Sequence, residues 1–321
     1  MGEFDFIAGL AARIRPRSDV VLGIGDDAAL LAGEPACEQV VAVDTMVAGV
    51  HFPLDAAPAD VGHKLAAVNL SDLAAMGAEP RHALLALTLP ALDPGWVEPF
   101  LDGLLALLSR HAVTLVGGDT TRGPATLTLT VIGSVPAGGA LRRSGAGSGD
   151  LVCVSGHLGD AAAALALRGT PPGEDAEARL VRKRLDQRLA RPTPRVELGL
   201  ALRGIASACI DVSDGLYADL GHIARASGLA AVVDPARLPA SRAPAMVIDD
   251  PARRYTLQGG GDDYELCFTL PREREAILAD LARAAHVPLA VIGEMGPGEG
   301  VHRLEADGSL RPAGAGWDHF A

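Results

Sequence analysis

The chain has 321 residues, with 40 Asp plus Glu against 28 Lys plus Arg, for a formal net charge of −12. Apolar residues make up 49% and aromatics only 3%, so Ala, Leu and Val must fill a core, and low-hydrophobicity disorder is excluded. The acidic balance leaves no dominant basic surface, which argues against a bulk nucleic-acid or anionic-membrane binder.

The length suits two domains of ordinary size. Short apolar runs alternate with longer helical patterns, the signature of an α/β protein. The run 20–24 leads into Gly25-Asp26-Asp27, and the run 40–43 ends in Asp44-Thr45. Residues 61–76 predict a helix with Val61, Leu65, Val68 and Leu73 near one face. Gly77 is placed to cap it. Residues 84–89 predict a strand closed by Pro90, and 96–111 a Leu-rich helix. A strand over 113–116 ends in Gly117-Gly118-Asp119-Thr120-Thr121. Residues 126–132 alternate Thr with aliphatic side chains, so this strand has one wet face and one buried face.

The stretch 138–149 is rich in Gly, Ser and Arg and predicts a boundary, dividing the chain into domains 1–140 and 141–321. Beyond it come a strand over 151–154, a helix from about Asp160 and a charged helix over 174–190. Arg191-Pro192-Thr193-Pro194-Arg195 breaks that helix, and 196–204 resumes it. A strand over 208–210 ends in Asp211-Val212-Ser213-Asp214-Gly215. Then follow a helix over 216–227, a strand over 230–233 and the turn Gly259-Gly260-Gly261-Asp262-Asp263. A strand over 265–270, a helix over 272–285, a strand over 289–292 and a hairpin turned at Asp307-Gly308 complete the chain.

The cysteines, Cys37, Cys153, Cys209 and Cys267, form no C-x-x-C pair, so neither a zinc ribbon nor a redox motif is expected. Three of them lie inside apolar runs and read as core residues. No apolar run reaches the length of a membrane span. The opening MGEFDF is acidic rather than basic, so no signal peptide is expected, and a cytoplasmic location follows.

The informative feature is the placing of aspartates. Asp26, Asp27, Asp44, Asp119, Asp211, Asp214, Asp262 and Asp263 lie next to a predicted strand end or in a Gly-rich turn, while Asp72 lies within a helix. In open α/β sheets, ligands gather outside the carboxyl ends of strands. Carboxylates converging there repel one another and need a counter-charge. Mg²⁺ is a hard cation that takes oxygen ligands, commonly one or two carboxylates plus substrate phosphates. Thr45, Thr120, Thr121 and Ser213 can add hydroxyl contacts. Any one of these aspartates could be an ordinary turn residue; the repeated pattern points to metal. His51 and His222 are lone histidines, and each alone reads as structural.

Gly23-Ile24-Gly25-Asp26-Asp27-Ala28 fits the loose dinucleotide fingerprint G-x-G-x-x-A, with Asp44 ending the next strand. The segment 28–39 contains Gly33-Glu34-Pro35 and is too short for a full crossover helix, which weakens that reading. Only two lysines occur, Lys64 and Lys183, and neither follows a glycine loop, so P-loop and protein-kinase chemistry are excluded. There is no G-x-S-x-G elbow. Arg142-Arg143-Ser144-Gly145 could fork onto phosphate or be a solvated linker. A Mg²⁺-dependent phosphatase and a nicotinamide dehydrogenase stay open on these residues alone.

A set of segments in a fixed order resembles one family. They are Gly2-Glu3-Phe4, Gly23-Ile24-Gly25-Asp26-Asp27-Ala28, Val43-Asp44-Thr45 with Gly49-Val50-His51-Phe52, and the run Val68-Asn69-Leu70-Ser71-Asp72-Leu73-Ala74-Ala75-Met76-Gly77-Ala78. Gly117-Gly118-Asp119-Thr120-Thr121-Arg122-Gly123, Arg143-Ser144-Gly145-Ala146, Asp211-Val212-Ser213-Asp214-Gly215-Leu216, Asp262-Asp263-Tyr264-Glu265-Leu266 and Gly316-Trp317-Asp318-His319-Phe320 continue it. Together they resemble the thiamine-monophosphate kinases, of the superfamily that includes aminoimidazole ribonucleotide synthetase. They run from end to end of the chain.

The resemblance implies an N-terminal α/β domain that dimerises through its sheet and a C-terminal α/β domain, with ATP and thiamine monophosphate as ligands of a homodimer. It implies that Asp27, Asp44, Asp72, Asp119, Asp211 and Asp214 are Mg²⁺ ligands. It implies that Gly118, Asp119, Arg143 and Ser213 contact nucleotide and that His51, Asp263 and Trp317 contact substrate. Val43 stands where several members have a hydroxyl residue, so a side-chain contact from that position is lost. The implied reaction transfers the γ-phosphoryl of ATP to the phosphate of thiamine monophosphate. That acceptor is largely ionised near neutral pH, its second pKa being about 6. No residue need act as base or nucleophile, and direct in-line transfer assisted by metal is expected.

Overall fold

Along β6 (Thr126–Pro136), Leu127, Leu129 and Val131 are buried while Thr126, Thr128 and Thr130 are partly exposed, which is the period-two pattern of a sheet covered on one face. The computed structural model describes residues 3–15, 17–24, 28–171, 175–250 and 257–314. They form two units, Met1–Leu73 with Ala78–Gly138, and Ala74–Gly77 with Gly139–Ala321.

The first unit opens with α1 (Glu3–Arg13) and a short antiparallel pair, β1 (Val20–Leu22) and β2 (Leu30–Leu31). No helix lies between residues 28 and 39, so the crossover that a dinucleotide fold needs is absent. Its four-stranded sheet has the order β3-β6-β4-β5, with β3 (Cys37–Val47), β4 (Glu79–Leu89) and β5 (Thr114–Arg122). Only β4 and β5 run parallel. The helices α2 (Pro58–Ala75) and α3 (Pro94–Arg110) supply much of its core, including Leu65, Leu70, Leu73, Phe100, Leu104 and Leu108. They cross backbone to backbone: a Cβ on Gly62 would lie 2.0 Å from the Phe100 carbonyl, and one on Gly103 would lie 1.9 Å from that of Ala59.

The expected strand ends at Asp44 and Gly117 lie further along the chain. β3 runs on to Val47 because β6 pairs with it throughout, Thr45 opposite Thr128 and Val47 opposite Thr126. β5 likewise continues to Arg122 alongside β4. The polar residues there are therefore strand residues, with their backbone groups held in the ladder.

The second unit is a seven-stranded sheet of order β13-β12-β9-β11-β7-β10-β8. Its strands are β7 (Leu151–Ser155), β8 (Ala208–Asp211), β9 (Ala230–Val233), β10 (Leu266–Leu270), β11 (Leu289–Gly296), β12 (Gly300–Leu304) and β13 (Leu310–Pro312). All neighbours are antiparallel except β12 and β9. α7 (Leu216–Ser227) lays Leu216, Leu220 and Ile223 into the core beside Val152, Ile210 and Val233. α4 (Asp160–Ala166), α5 (Ala176–Ala190) and α8 (Ala243–Val247) build a smaller core around Ala161, Val181 and Leu185. α6 (Val196–Leu202) follows the Pro-rich break. The helix expected over 272–285 divides into a 3-10 turn, Arg272–Ile277, and α9 (Leu278–Ala284). The turn buries nothing, so no packing draws it into the α-helix.

Cys153, Cys209 and Cys267 are buried, and burial pushes each thiol up, Cys153 to about 12. They are core residues, as expected. No helix among the described residues is long and apolar enough to cross a membrane.

Candidate functional site

In the first unit, β3 carries Asp44 and Thr45 on opposite faces. Asp44 pairs with buried Leu129, and Thr45 pairs with Thr128, their hydroxyls 2.8 Å apart. Asn69 of α2, fully buried, secures that strand. Its Oδ1 accepts the backbone N–H of Asp44 at 3.0 Å, and its Nδ2 donates to the Leu65 carbonyl at 2.9 Å. Asp72 lies three residues on, sharing a helix face with Asn69. Val43 is exposed and sits on the face away from Asp44.

Asp119 belongs to the row Thr45, Thr128, Ala86, Asp119, which crosses the whole sheet. Three strand spacings, about 14 Å, separate its ends. Gly118 occupies the next row, opposite Leu85. His51 is held in the turn after β3: its Nδ1 accepts the Val47 N–H at 3.0 Å. In the neutral ring the proton therefore sits on Nε2. Asp27 lies outside the described residues, as does Trp317.

In the second unit, β8 ends at Asp211 and α7 begins at Leu216, so Ser213 and Asp214 lie on the turn between. Asp219, in the first turn of α7 and 2% exposed, reaches back to that turn. Its Oδ2 accepts the N–H groups of Ser213 at 3.0 Å and of Asp214 and Gly215 at 3.1 Å each. Gly215 has φ +118, and a Cβ there would lie 2.3 Å from the Gly259 carbonyl. Burial pushes the Asp219 carboxyl up to about 7, and the negative charges of Asp211 and Asp214 add to the rise.

The turn is laced to the loop 259–265. Asp262 N–H donates to the Ser213 carbonyl and Tyr264 N–H to that of Val212, each at 2.9 Å. Asp262 and Tyr264 have φ +67 and +51, a conformation costing about 1 kcal/mol or more in each non-glycine residue. Glu265, completely buried, anchors the loop against that strain. It accepts Ser155 Oγ and Arg195 Nε at 2.6 Å each, and Arg188 Nη2 at 3.2 Å. Asp263 is 1% exposed, and its Oδ2 accepts the Gly159 N–H at 2.8 Å. Burial pushes this carboxyl up to about 8 against the pull of the Gly159 N–H and Arg188. Arg143 follows Arg142, whose carbonyl accepts the Cys209 N–H at 2.8 Å, so this segment runs beside β8. His222 is held below its ordinary value by burial and by the charges of Arg143 and Arg225, with Asp214 opposing them.

The structure therefore brings Asp44 together with the face of α2 that bears Asp72, and Asp211 with Ser213 and Asp214 on one turn, with Arg143 on the segment beside β8. It places Asp119 and Gly118 across the sheet from Asp44. Among the described residues, no three His, Cys, Asp or Glu side chains close on one point.

Residues 25–135 match the family described as AIR synthase related protein, N-terminal domain, and 147–304 its C-terminal domain. A curated thiamine-monophosphate kinase of Salmonella typhimurium is 48% identical over 325 residues, covering 100% of this chain and 98% of its own. The chain belongs to the thiamine-monophosphate kinase family. A crystal structure of thiamine-monophosphate kinase from Stenotrophomonas maltophilia K279a is 48% identical, with a TM-score of 0.86 over 96% of both chains. The structure described as AaThiL complexed with AMPPCP and TMP is 31% identical, with a TM-score of 0.78 over 90% of this chain and 89% of that one.

Several residues that shape these family motifs escaped the sequence reading. Asn69 and Glu265 were visible only as members of motifs, and Asp219 only as one polar position on an amphipathic helix. An acid in the first helical turn after Asp214-Gly215 is the one local signal for Asp219. Arg195, in the break between α5 and α6, forks onto Glu265.

The raised carboxyl of Asp263 has a consequence for stability. A carboxyl whose folded pKa lies above its unfolded 3.8 favours the fold at acid pH and loses that contribution as pH rises towards about 8. Asp263→Asn keeps an acceptor for Gly159 and removes the titration. We expect the variant to gain on the wild type in thermal unfolding as pH rises from 5 to 8, by a few °C at pH 8. Parallel curves at both pH values would show that Asp263 keeps no proton in the fold.

Proposed function

We propose that this chain transfers the γ-phosphoryl group of ATP to the phosphate of thiamine monophosphate, giving thiamine diphosphate and ADP. The observation that carries this reading is the full-length 48% identity to a curated thiamine-monophosphate kinase. The complex of the 31% identical relative with AMPPCP and TMP supports both ligands, since AMPPCP is ATP with a methylene in place of the β,γ-bridging oxygen.

The donors on the two units are all oxygens, carboxylate and hydroxyl. Asp211, Asp214 and Asp219 share one turn, and the charges of Asp211 and Asp214 add to the burial that raises Asp219. That excess of negative charge and that donor chemistry fit a hard divalent cation. Asp44, Thr45, Asp72, Asp119, Asp211 and Asp214 would hold Mg²⁺, together with Asp27. When bound, Mg²⁺ supplies charge neutralisation and a common template for the two sets of phosphate oxygens.

The chain's own residues do the rest. Asn69 fixes the strand that presents Asp44, and the turn 211–215 presents Ser213 beside Asp214. Arg143, exposed beside this turn, is suited to fork onto phosphate oxygens. His51, with its proton on Nε2, can donate to an anionic substrate. Asp263 and Trp317 complete the proposed substrate contacts. The acceptor phosphate is already a nucleophile, so transfer proceeds directly and in line, without a base and without a phosphoenzyme. Two copies pair through the open face of the four-stranded sheet, where Val41 and Val43 stand 60% and 57% exposed.

Incubation of the purified chain with Mg²⁺, ATP and thiamine monophosphate is expected to yield thiamine diphosphate and ADP in equal amounts. Free phosphate without thiamine diphosphate would identify a phosphatase instead. Asp72→Asn should lower kcat at least about 100-fold while leaving the thermal transition in place; near-normal turnover would remove Asp72 from the metal set. With a γ-phosphoryl group chiral at phosphorus, the product should be inverted. Retention would establish a phosphoenzyme. Light scattering should give twice the mass of the 321-residue chain, and a monomer at working concentration would contradict pairing through the sheet.

A further inference from the structure

Asp219 has a geometry that ordinary helix capping does not explain. A capping side chain sits at or before the start of a helix and bonds N–H groups of the first turn. Here the capping position is Gly215, which offers no side chain. Asp219 lies inside the helix and bonds backwards, to three successive N–H groups that precede it, those of Ser213, Asp214 and Gly215. One buried oxygen gathers all three. Backbone amides turned inward to a common acceptor bend the chain into a tight arc. The arc is closed on its other side by the N–H of Asp262 on the Ser213 carbonyl.

We propose that Asp219 is a positioning residue, whose carboxylate sets the arc of the 213–215 turn and thereby the placing of Ser213 and Asp214 towards nucleotide and metal. The inference rests on the functional reading above, because it takes those two residues as ligand-bearing. Asp219 acts through the backbone and touches neither substrate nor metal. Its buried position in the first turn of α7 makes it rigid, so the turn arrives at the ligand already shaped.

The test compares Asp219→Ala with Asp219→Asn in the full chain. Alanine leaves three N–H groups without an acceptor. Asparagine presents a neutral carbonyl oxygen to the same three groups. Calorimetric titration with AMPPCP in the presence of Mg²⁺ is the readout, beside the KM for ATP and kcat. Asp219→Ala should weaken AMPPCP binding at least about tenfold, while Asp219→Asn stays within about threefold of wild type. An alanine variant that binds as tightly as wild type but melts earlier would reduce Asp219 to a structural role and overturn the proposal. An asparagine variant as weak as the alanine one would also overturn it, since charge rather than hydrogen-bond geometry would then be at work. If Asp219→Ala does not fold, Asp219→Ser, with a shorter acceptor, takes its place under the same expectations. A wild-type chain that binds AMPPCP but leaves thiamine monophosphate unphosphorylated would remove the functional reading and leave the Asp219 comparison intact. A wild-type chain that binds no AMPPCP with Mg²⁺ would sink both.

Discussion

A carboxylate withdrawn from water must meet opposite charge, hydrogen-bond donors or a proton, and the second unit depends on meeting that demand differently at each position. Glu265 is completely buried and is met by the guanidinium groups of Arg188 and Arg195 and by Ser155. Asp219 is met by three backbone N–H groups. Asp263 has the Gly159 N–H and is pushed towards keeping its proton. Each solution ties a loop to the sheet. Removing one partner of a buried ion pair such as Glu265–Arg195 typically costs about 3–5 kcal/mol, because a charge is left buried without its mate. Glu265 and Asp219 are therefore committed to the fold.

Asp211 and Asp214 lie on the same turn, and their charge adds to the burial that disfavours ionisation of Asp219. Three acids around one turn set up a repulsion that the fold itself sustains. It does so because Gly215 lets the chain pass close to Gly259 and because Glu265 holds the facing loop. The first unit uses a neutral device for the same end. Asn69 ties Asp44's backbone to α2 without adding charge beside the carboxylate.

How much of this was legible in the sequence depended on the range of the interactions. α7 and β9 matched their predicted bounds, Leu216–Ser227 and Ala230–Val233. There the helical and strand periods are clean, and Gly228 separates them. Asp44 and Asp119 read as strand ends because Asp, Gly and Thr are turn formers. Ladder pairing with β6 and β4 overrode that preference and carried both strands onward. The Glu265 pairs join residues 77 and 70 positions apart, which no local pattern reports. The grouping of Asp211, Ser213 and Asp214 was legible because the turn that carries them is short and contiguous. Asp219 was not, because its partners lie behind it and its burial is a property of the packed helix.

The charge balance then acquires a direction. Of the basic side chains, Arg188 and Arg195 are spent on Glu265, Arg81 on Glu34 and Glu79, and Arg182 on Asp186. Lys64 is only 7% exposed, and Lys183 lies on α5. Arg142 and Arg143 are both exposed on the segment that runs beside β8. On the function proposed above, a divalent cation would bring positive charge to a chain whose formal net charge is −12. An array of oxygen donors held rigid by backbone N–H groups and buried ion pairs is suited to receive that charge. On the function proposed above, aspartates such as Asp211 and Asp214 would take up a divalent cation and the cation the phosphate, which would make the acidity of the chain part of its recognition of phosphate.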